Sequence, residues 1–275
     1  MAEYFPIHAQ LFVVASIVLV IGVIGVMAGQ LALRSLKLRI RTVLDSKENR
    51  LNKRLADSVE LLYTQMEALI SLNSVLQPRL PLPPTRGWAG SPDFLRELAV
   101  EILARKPKMV IELGSGVSSL VIAYCLQRNG HGKLVSLDHD GRYAEQTRLM
   151  LSQHGLSAQG VVLDAPLKEV ACNGVKVPWY TLPPGLPPQA EMLVIDGPPS
   201  LENDNLLSRY PALPMLRTYL APGALVVLDD AARPGEQECL ARWRQEIGFA
   251  EYALKLHEKG TALFSLPSQS IPGDK

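Results

Sequence analysis

Five short apolar segments, separated by helix-like stretches, constrain the fold of this 275-residue chain more than any other feature. The segments are residues 109–113, 133–137, 160–163, 191–195 and 224–228. Helices are predicted between them at residues 118–127, 141–154 and 206–219. Short strands that are apolar throughout and alternate with helices indicate a parallel sheet covered on both faces.

The C-terminal end of this region breaks the alternation. Residues 253–257 and 261–266 are two further strand candidates, and Glu258-Lys259-Gly260 between them is a turn signal. This pattern predicts an antiparallel hairpin that closes one edge of the sheet. The predicted fold class is therefore α/β: a Rossmann-like, doubly wound and mainly parallel sheet with a C-terminal antiparallel hairpin.

Residues 1–35 predict an N-terminal transmembrane segment. No charged side chain occurs between Glu3 and Arg34, and residues 11–33 are dominated by Val, Ile, Leu, Gly and Ala. That run is long enough to cross a bilayer. Basic residues follow at once, at Arg34, Lys37, Arg39 and Arg41. The positive-inside rule then predicts a single-pass membrane protein whose C-terminal part lies in the cytoplasm.

Residues 36–77 predict a long amphipathic helix. Its leucines recur at heptad-like spacing, at Leu44, Leu51, Leu55, Leu62, Leu69, Leu72 and Leu76. Two interpretations stay open: a coiled-coil stalk that makes a homodimer, or a helix that lies on its own domain or on the membrane surface. The prolines of residues 78–91 predict an extended linker. The last domain, residues 92–275, is expected to begin with a helix that has Ser91 as N-cap and Pro92 as first residue.

Composition excludes some classes of function. The formal net charge is +1, which gives no electrostatic case for a nucleic-acid partner. The three cysteines, Cys125, Cys172 and Cys239, show no CxxC spacing. We interpret them as small buried residues rather than as a disulfide framework or a zinc site.

A carboxylate stands at or beside the end of every predicted parallel strand. These residues are Glu112, Asp138, Asp164, Asp196 and the pair Asp229-Asp230. Any one of them could be an ordinary cap or turn residue. Because parallel sheets bind ligands at the carboxyl ends of their strands, five in succession indicate a ligand-binding edge.

The turn after the first strand narrows the class of ligand. Gly114 and Gly116 allow close backbone approach, but Ser119 stands where a dinucleotide site would favour a third glycine. Glu112 beside the turn would disfavour a pyrophosphate and tolerate a cation. Asp138, at the end of the next strand, can accept hydrogen bonds from both hydroxyls of a ribose. These features together suit a nucleoside that carries a sulfonium and an amino acid.

Five motifs in this order resemble a known family. They are VIELGSGVSS, LVSLDHD, VVLDAPL, MLVIDGPPS and LAPGALVVLDDAAR. Between about Trp88 and Leu266 the chain is similar to the class I S-adenosylmethionine-dependent methyltransferases. Within them it is most similar to the catechol-type O-methyltransferase-like bacterial group with a DGPP motif. The resemblance implies methyl transfer to an oxygen of a small-molecule, saccharide or lipid-linked acceptor.

The resemblance also implies cofactor-binding residues. The methionine part of S-adenosylmethionine would be lined by Glu112, Gly114, Ser115 and Gly116. At the nucleoside part, Asp138 would bind the ribose and His139 would lie beside the adenine. The edge of the adenine would be contacted by Asp164 and Ala165.

For catalysis, the resemblance implies roles for Asp196 and Asp229. Asp196 matches an acid that faces the substrate, and with Asp229 and Asp230 it would hold Mg²⁺, which prefers hard oxygen ligands. The chain departs from the family in two ways: Gly197 and the prolines after it replace an expected lysine, and Asp230 stands where Asn is usual. The alternative is that Asp196 contacts substrate while Asp229 or Asp230 caps a loop.

Three further residues are candidates for substrate contact. Trp179 and Tyr180 are predicted to lie in a long Pro/Gly loop, either as an active-site lid or as a surface loop pinned by two aromatic rings. Arg209 would reach an anionic substrate group or form an ion pair with a carboxylate. Two other functions stay open from the sequence: a non-catalytic cofactor-binding scaffold and a nicotinamide-dependent oxidoreductase.

Overall fold

The computed structural model describes residues 7–200 and 206–268. The predicted domain ends at residues 1 and 275, and Glu3, lie outside the described residues. The helices are α1 (Ile7–Leu76), α2 (Pro92–Arg105), α3 (Val117–Asn129), α4 (Gly141–Gln153), α5 (Ala212–Leu216) and α6 (Pro234–Glu246). The strands are β1 (Met109–Leu113), β2 (Lys133–Asp138), β3 (Gly160–Asp164), β4 (Leu167–Cys172), β5 (Val175–Tyr180), β6 (Ala190–Ile195), β7 (Leu220–Asp229), β8 (Ala250–Lys255) and β9 (Thr261–Ser265).

The main sheet has seven strands in the order β3-β2-β1-β6-β7-β9-β8. The first five are parallel, and β9 pairs antiparallel with both β7 and β8. The α/β fold class and the C-terminal hairpin predicted from the sequence are therefore confirmed. The register sets Leu113 beside both Leu137 and Ile195, and Ile195 beside Leu228, so the strands end level with one another.

Each face of the sheet has its own hydrophobic core. Alternate residues of β1 point to opposite faces, so Ile111 and Leu113 belong to one cluster and Val110 belongs to the other. The strands are apolar throughout because both of their faces are buried, as a parallel sheet between two layers requires.

The prediction of a loop at Trp179 and Tyr180 is wrong. Both residues lie in β5, which forms a separate two-stranded antiparallel sheet with β4. The turn between these strands is Asn173-Gly174, a dipeptide typical of two-residue hairpin turns. Trp179 lies on the face of β5 that packs into the core, and Tyr180, at the end of the strand, is also buried.

The helix predicted over residues 206–219 is also too long. The structure has only α5 and a 3₁₀ turn over Arg217–Tyr219. Pro211 precedes the first helical residue. Proline disfavours the helical conformation in the residue before it, so a helix that extends back through this point is not formed.

The chain consists of two compact units, Met1–Glu60 and Leu61–Lys275. In the first unit, α1 is continuous through the predicted membrane segment and into the predicted amphipathic helix. Among the described helices, α1 alone is long and apolar enough to cross a membrane, judged by length and composition. Membrane crossing itself stays a prediction.

In the second unit, the last turns of α1 are part of the domain core. Leu72 and Leu76 are buried in the same cluster as Phe94 of α2. The C-terminal end of the leucine repeat therefore lies on its own domain, as one of the two interpretations expected. Leu44 and Leu51, nearer the N-terminus, are exposed, so the coiled-coil dimer stays a prediction for that part of the helix.

Asp93 joins three segments of the second unit. Its Oδ2 accepts hydrogen bonds from Gln65 Nε2 of α1 (2.8 Å) and from the main-chain N–H of Glu258 in the β8–β9 turn (2.8 Å). Its Oδ1 accepts from Ser91 Oγ (2.5 Å), so the Ser91 hydroxyl serves Asp93 instead of capping α2. Burial acts to raise the pKa of Asp93, but the hydrogen bonds from Ser91, Gln65 and the main chain of Glu258, with the charge of His257, together lower it.

We expect Asp93→Ala to reduce the free energy of unfolding by about 3 kcal/mol, because several buried donors lose a charged acceptor. Chemical denaturation of the detergent-solubilised chain, followed by tryptophan fluorescence, measures the change. Asp57→Ala, at an exposed position of α1, is the control and should leave stability unchanged. Equal stability of the two variants would contradict the linking role of Asp93.

Candidate functional site

A cavity of about 310 Å³ opens at the carboxyl ends of the parallel strands. Its position follows from the level strand ends, since the residues after β1, β2, β6 and β7 are all brought to one edge of the sheet. At one end it is lined by Gly114, Ser115 and Asp138, and at the other by Asp196, Arg209 and Asp230. One cavity therefore joins the glycine turn to the carboxylates that follow β6 and β7.

The two central strands approach each other closely where they end. Gly114 has φ +91°, and a Cβ added there would lie 3.2 Å from the main chain of Asp196. A Cβ added at Gly197 would lie 2.2 Å from the hydroxyl of Tyr180. Neither position has room for a side chain, so the backbone forms this part of the cavity wall.

Asp138 is held by the glycine turn and by α4. Its Oδ2 accepts hydrogen bonds from the Ser115 hydroxyl and from the Ser115 main-chain N–H (3.1 Å). Its Oδ1 accepts from the main-chain N–H of Asp140 (3.0 Å). A carboxylate has about four acceptor sites, so Asp138 retains capacity for donors from a ligand in the cavity.

Glu112 is fully buried beneath the glycine turn rather than in the cavity wall. Its Oε2 accepts hydrogen bonds from Ser119 Oγ (2.5 Å) and Ser136 Oγ (2.6 Å). Burial raises the pKa of Glu112 to about 7, although the neighbouring serine hydroxyls act to lower it. The serine at position 119 thus binds the carboxylate that ends β1.

Three carboxylates cluster at the other end of the cavity. Each residue has a carboxylate oxygen that lies within 4.8 Å of those of the other two; the residues are Asp196, Asp229 and Asp230. Neither oxygen of Asp229 has a hydrogen-bond partner among the described residues. Such a cluster of like charges is stable only with counter-charges or bound protons.

Arg209 supplies much of the counter-charge. Its side chain is buried, and its Nη2 lies 2.8 Å from Asp230 Oδ2 and 3.7 Å from Asp196 Oδ1. The ion-pair alternative predicted for Arg209 is therefore present in the structure. Arg233 Nη1 also lies 2.9 Å from Asp230 Oδ2.

The cluster shifts the protonation of its members. The pKa of Asp196 is raised well above its ordinary value, first by burial and then by the charge of Asp229. Burial, and then the charge of Asp230, raise the pKa of Asp229 to about 6. The site can therefore bind a proton near neutral pH, and of Asp196 and Asp229 only Asp196 lines the cavity.

Several residues singled out from the sequence meet in this cavity, and others do not. The cavity is lined by Gly114, Ser115, Asp138, His139, Tyr180, Asp196, Arg209 and Asp230. Its lining does not include Glu112, Gly116, Asp164, Ala165, Trp179 or Asp229. Asp164 instead faces Arg148 (3.3 Å), and Trp179 is fully buried in the core.

Sequence reasoning missed several lining residues, among them two aromatic residues and two cations. Trp88 and Tyr143 place aromatic rings at the cavity, and Arg233 and Lys259 add positive charge. Trp88 lies in the Pro-rich segment, whose composition indicated only a linker. Lys259 lies in the turn of the predicted hairpin, and its position at the strand ends could have been inferred from the antiparallel pairing of the edge strands.

Comparisons with known proteins agree with this architecture. Residues 111–231 match the model of a family described as a methyltransferase domain. The match begins within β1 and ends just after β7, so it spans the glycine turn and all three clustered aspartates. No curated protein matches the chain significantly.

Among solved structures, the chain is similar to a methyltransferase from Podospora anserina with bound S-adenosylhomocysteine, at 15% identity and a TM-score of 0.53. The alignment covers 78% of this chain and 96% of that one, which shows a shared fold. The O-methyltransferase TomG from Streptomyces achromogenes, solved with S-adenosylmethionine, is similar at 16% identity and a TM-score of 0.45 over 74% of this chain and 89% of that one.

The family match covers the strand ends that build the cavity, and the shared fold extends through most of the chain. Residues 111–231 therefore match a methyltransferase-domain family, and the chain shares its fold with a methyltransferase of known structure.

Proposed function

We propose that this protein transfers the methyl group of S-adenosylmethionine to a hydroxyl oxygen of a small-molecule acceptor. The observation that supports this most is the single cavity that joins the Gly114–Ser115 turn to Asp196. A donor held at the first end and an acceptor held at the second would meet inside it. Methyl transfer is a displacement, so holding the two reactants in line is most of the catalytic task.

The cofactor would lie along the glycine turn. The main chain at Gly114 and Ser115 would contact its methionine part, and Asp138 would accept hydrogen bonds from the ribose. His139, next to Asp138 and lining the same cavity, would lie beside the adenine. Glu112, buried below the turn, would act through Ser119 and the turn backbone rather than by direct contact. The resemblance alone supports roles for Gly116, Asp164 and Ala165.

At the other end, Asp196 would accept the acceptor's proton. The acceptor oxygen forms a bond to the methyl carbon, the carbon–sulfur bond breaks, and its electron pair stays on sulfur. The hydroxyl proton passes to the Asp196 carboxylate. Asp229 supports this role because its neighbouring charge raises the proton affinity of Asp196.

The resemblance also implies Mg²⁺ at Asp196, Asp229 and Asp230. Their oxygens are of the kind that Mg²⁺ prefers, and they lie close together. However, Asp230 Oδ2 already faces the guanidinium groups of Arg209 and Arg233 at 2.8 and 2.9 Å. The set as a whole does not fit a resident divalent cation, and the proposed reaction has no metal-dependent step.

Trp88 is a candidate for acceptor binding. It lines the cavity, yet it is 77% exposed, which is unusual for a large aromatic ring. Its segment is held near the β8–β9 turn by an ion pair between Arg86 Nη1 and Glu258 Oε1 (2.9 Å). We propose that this ring, and not Trp179, packs against a phenolic or saccharide ring of the acceptor, with Tyr180 deeper in the cavity.

The long apolar helix α1 supports a location of this activity at the membrane. We propose that α1 crosses the membrane once, that the methyltransferase domain lies in the cytoplasm, and that the exposed leucines pair two copies as a homodimer. A lipid-linked acceptor would suit a domain attached to the membrane in this way.

Labelled S-adenosylmethionine and a panel of hydroxyl-bearing metabolites and membrane lipids test the activity directly. We expect label to appear in one class of acceptor and to be stable to treatment that cleaves esters but not ethers. Transfer of label to a nitrogen or sulfur acceptor in preference would contradict O-methylation.

We expect Asp138→Asn to weaken S-adenosylhomocysteine binding about 10- to 100-fold in isothermal calorimetry, because charge-assisted hydrogen bonds to the ribose are lost. Glu169→Gln, at an exposed position on the β4–β5 hairpin, is the matched control and should bind normally. Unchanged affinity in Asp138→Asn would remove Asp138 from the cofactor site.

We expect Asp196→Asn to lower kcat by about 100-fold or more while S-adenosylhomocysteine binding stays within about threefold of wild type, because the proton acceptor is lost but the glycine turn is not. Steady-state kinetics and calorimetry on the same preparation measure the two effects. Parallel loss of binding and turnover would show that Asp196 does not have a separate catalytic role.

We expect Trp88→Ala to raise KM for the acceptor about tenfold with little change in kcat, because a ring contact used for binding is lost. Trp88→Phe should restore most of the affinity, since it keeps an aromatic face. If KM for S-adenosylmethionine rises instead, Trp88 covers the cofactor and not the acceptor.

A further inference from the structure

We propose that the guanidinium group of Arg209 neutralises the aspartate cluster in place of a divalent cation, and that methyl transfer here is independent of divalent metal. Only the metal independence of methyl transfer rests on the proposed function. The neutralisation of the aspartates by Arg209 concerns the charges of the site and does not depend on the acceptor.

Arg209 contacts all three members of the cluster. Its Nη2 lies 2.8 Å from Asp230 Oδ2 and 3.7 Å from Asp196 Oδ1, and its Nη1 donates to the main-chain carbonyl of Asp229 (2.8 Å). The side chain is only 4% exposed, so water does not screen these interactions. A buried arginine that faces the carboxylates of Asp196 and Asp230 and bonds the main chain of Asp229 occupies the electrostatic role that a bound cation would have.

Two further cations and one further carboxylate contribute to the charge of the site. Arg233 Nη1 lies 2.9 Å from Asp230 Oδ2, and Lys259 Nζ lies 4.0 Å from Asp230 Oδ1. Arg209 Nε also faces Glu236 Oε1 at 3.5 Å. Three positive groups thus face four carboxylates, and both oxygens of Asp230 face a cation.

A divalent cation would have to share this space with Arg209. To use oxygens of Asp196, Asp229 and Asp230 together, it would lie within a few ångströms of a buried guanidinium, and the two would repel each other strongly in an environment of low polarity. Arg209 cannot lose its charge by deprotonation, so the repulsion cannot be relieved in that way. The fixed charge of Arg209 therefore disfavours the ion.

Arg209 has a second role as a positioning residue. Besides its ion pairs, its Nη2 lies 3.4 Å from the main-chain carbonyl of Asp196, while Nη1 bonds that of Asp229. The planar guanidinium therefore ties the end of β6 to the end of β7 and fixes Asp196 at the cavity.

Binding of Mn²⁺ alone, measured by electron paramagnetic resonance on the detergent-solubilised full chain, tests the first half. We expect the wild-type protein to leave the signal of free Mn²⁺ undiminished at micromolar concentrations. Stoichiometric micromolar binding that is lost in Asp229→Asn would overturn the proposal. This titration needs no variant at Arg209, so it stands even if that position is essential for folding.

Variants of Arg209 test the cause. We expect Arg209→Gln to gain at least tenfold in Mn²⁺ affinity, because the carboxylates lose their counter-charge, and Arg209→Lys to stay like wild type. Arg105→Gln, an exposed arginine paired with Glu101, is the control. A folded Arg209→Gln protein that still binds S-adenosylhomocysteine but gains no Mn²⁺ affinity would contradict the exclusion of the ion by Arg209.

Chelation tests the second half once an acceptor is found. We expect the initial rate of methyl transfer to be the same in EDTA and in added Mg²⁺. A rate that falls at least tenfold in EDTA and returns with Mg²⁺ would overturn metal independence. Absence of methyl transfer to any acceptor, with no Mn²⁺ binding, would count against the proposed function and leave the role of Arg209 intact.

Discussion

Burial of carboxylates at the carboxyl edge of the sheet is the constraint on which this structure depends. Parallel strands that end level bring their terminal acids together in a region with little water, where uncompensated charge is costly. The fold compensates three of them in different ways. Glu112 is bound by serine hydroxyls, Asp138 by main-chain N–H groups and Ser115, and Asp230 by buried and half-exposed arginines.

The groups that surround the carboxylates differ between the two ends of the cavity, so the two ends differ in chemistry. Around Asp138 the donors are neutral and leave acceptor capacity free, which suits the hydroxyls of a nucleoside. Around Asp196 the neighbours are full charges of both signs, which suits proton transfer. On the proposed function, one edge of one sheet would hold a methyl donor and activate an acceptor.

The sequence predicted the sheet well because its strands are buried on both faces, and a continuous apolar run is a strong signal. It grouped Gly114, Ser115, Asp138 and His139 at one ligand site, and all four line the cavity. It also gave an ion pair as one alternative for Arg209. It failed at β5, where Asn173-Gly174 signalled a hairpin but the prolines nearby favoured a loop. It could not show that Leu72 and Leu76 would pack on the domain, or that Trp88 would reach the cavity, since both depend on tertiary contacts.

The identity of the ligand at the glycine turn is the central claim, and calorimetric titration of the full chain tests it most directly. S-adenosylhomocysteine and NADH should be compared under the same conditions, because both present an adenosine and only one carries a pyrophosphate. We predict stoichiometric binding of S-adenosylhomocysteine and no measurable heat of binding with NADH. Binding of NADH without binding of S-adenosylhomocysteine would contradict the account.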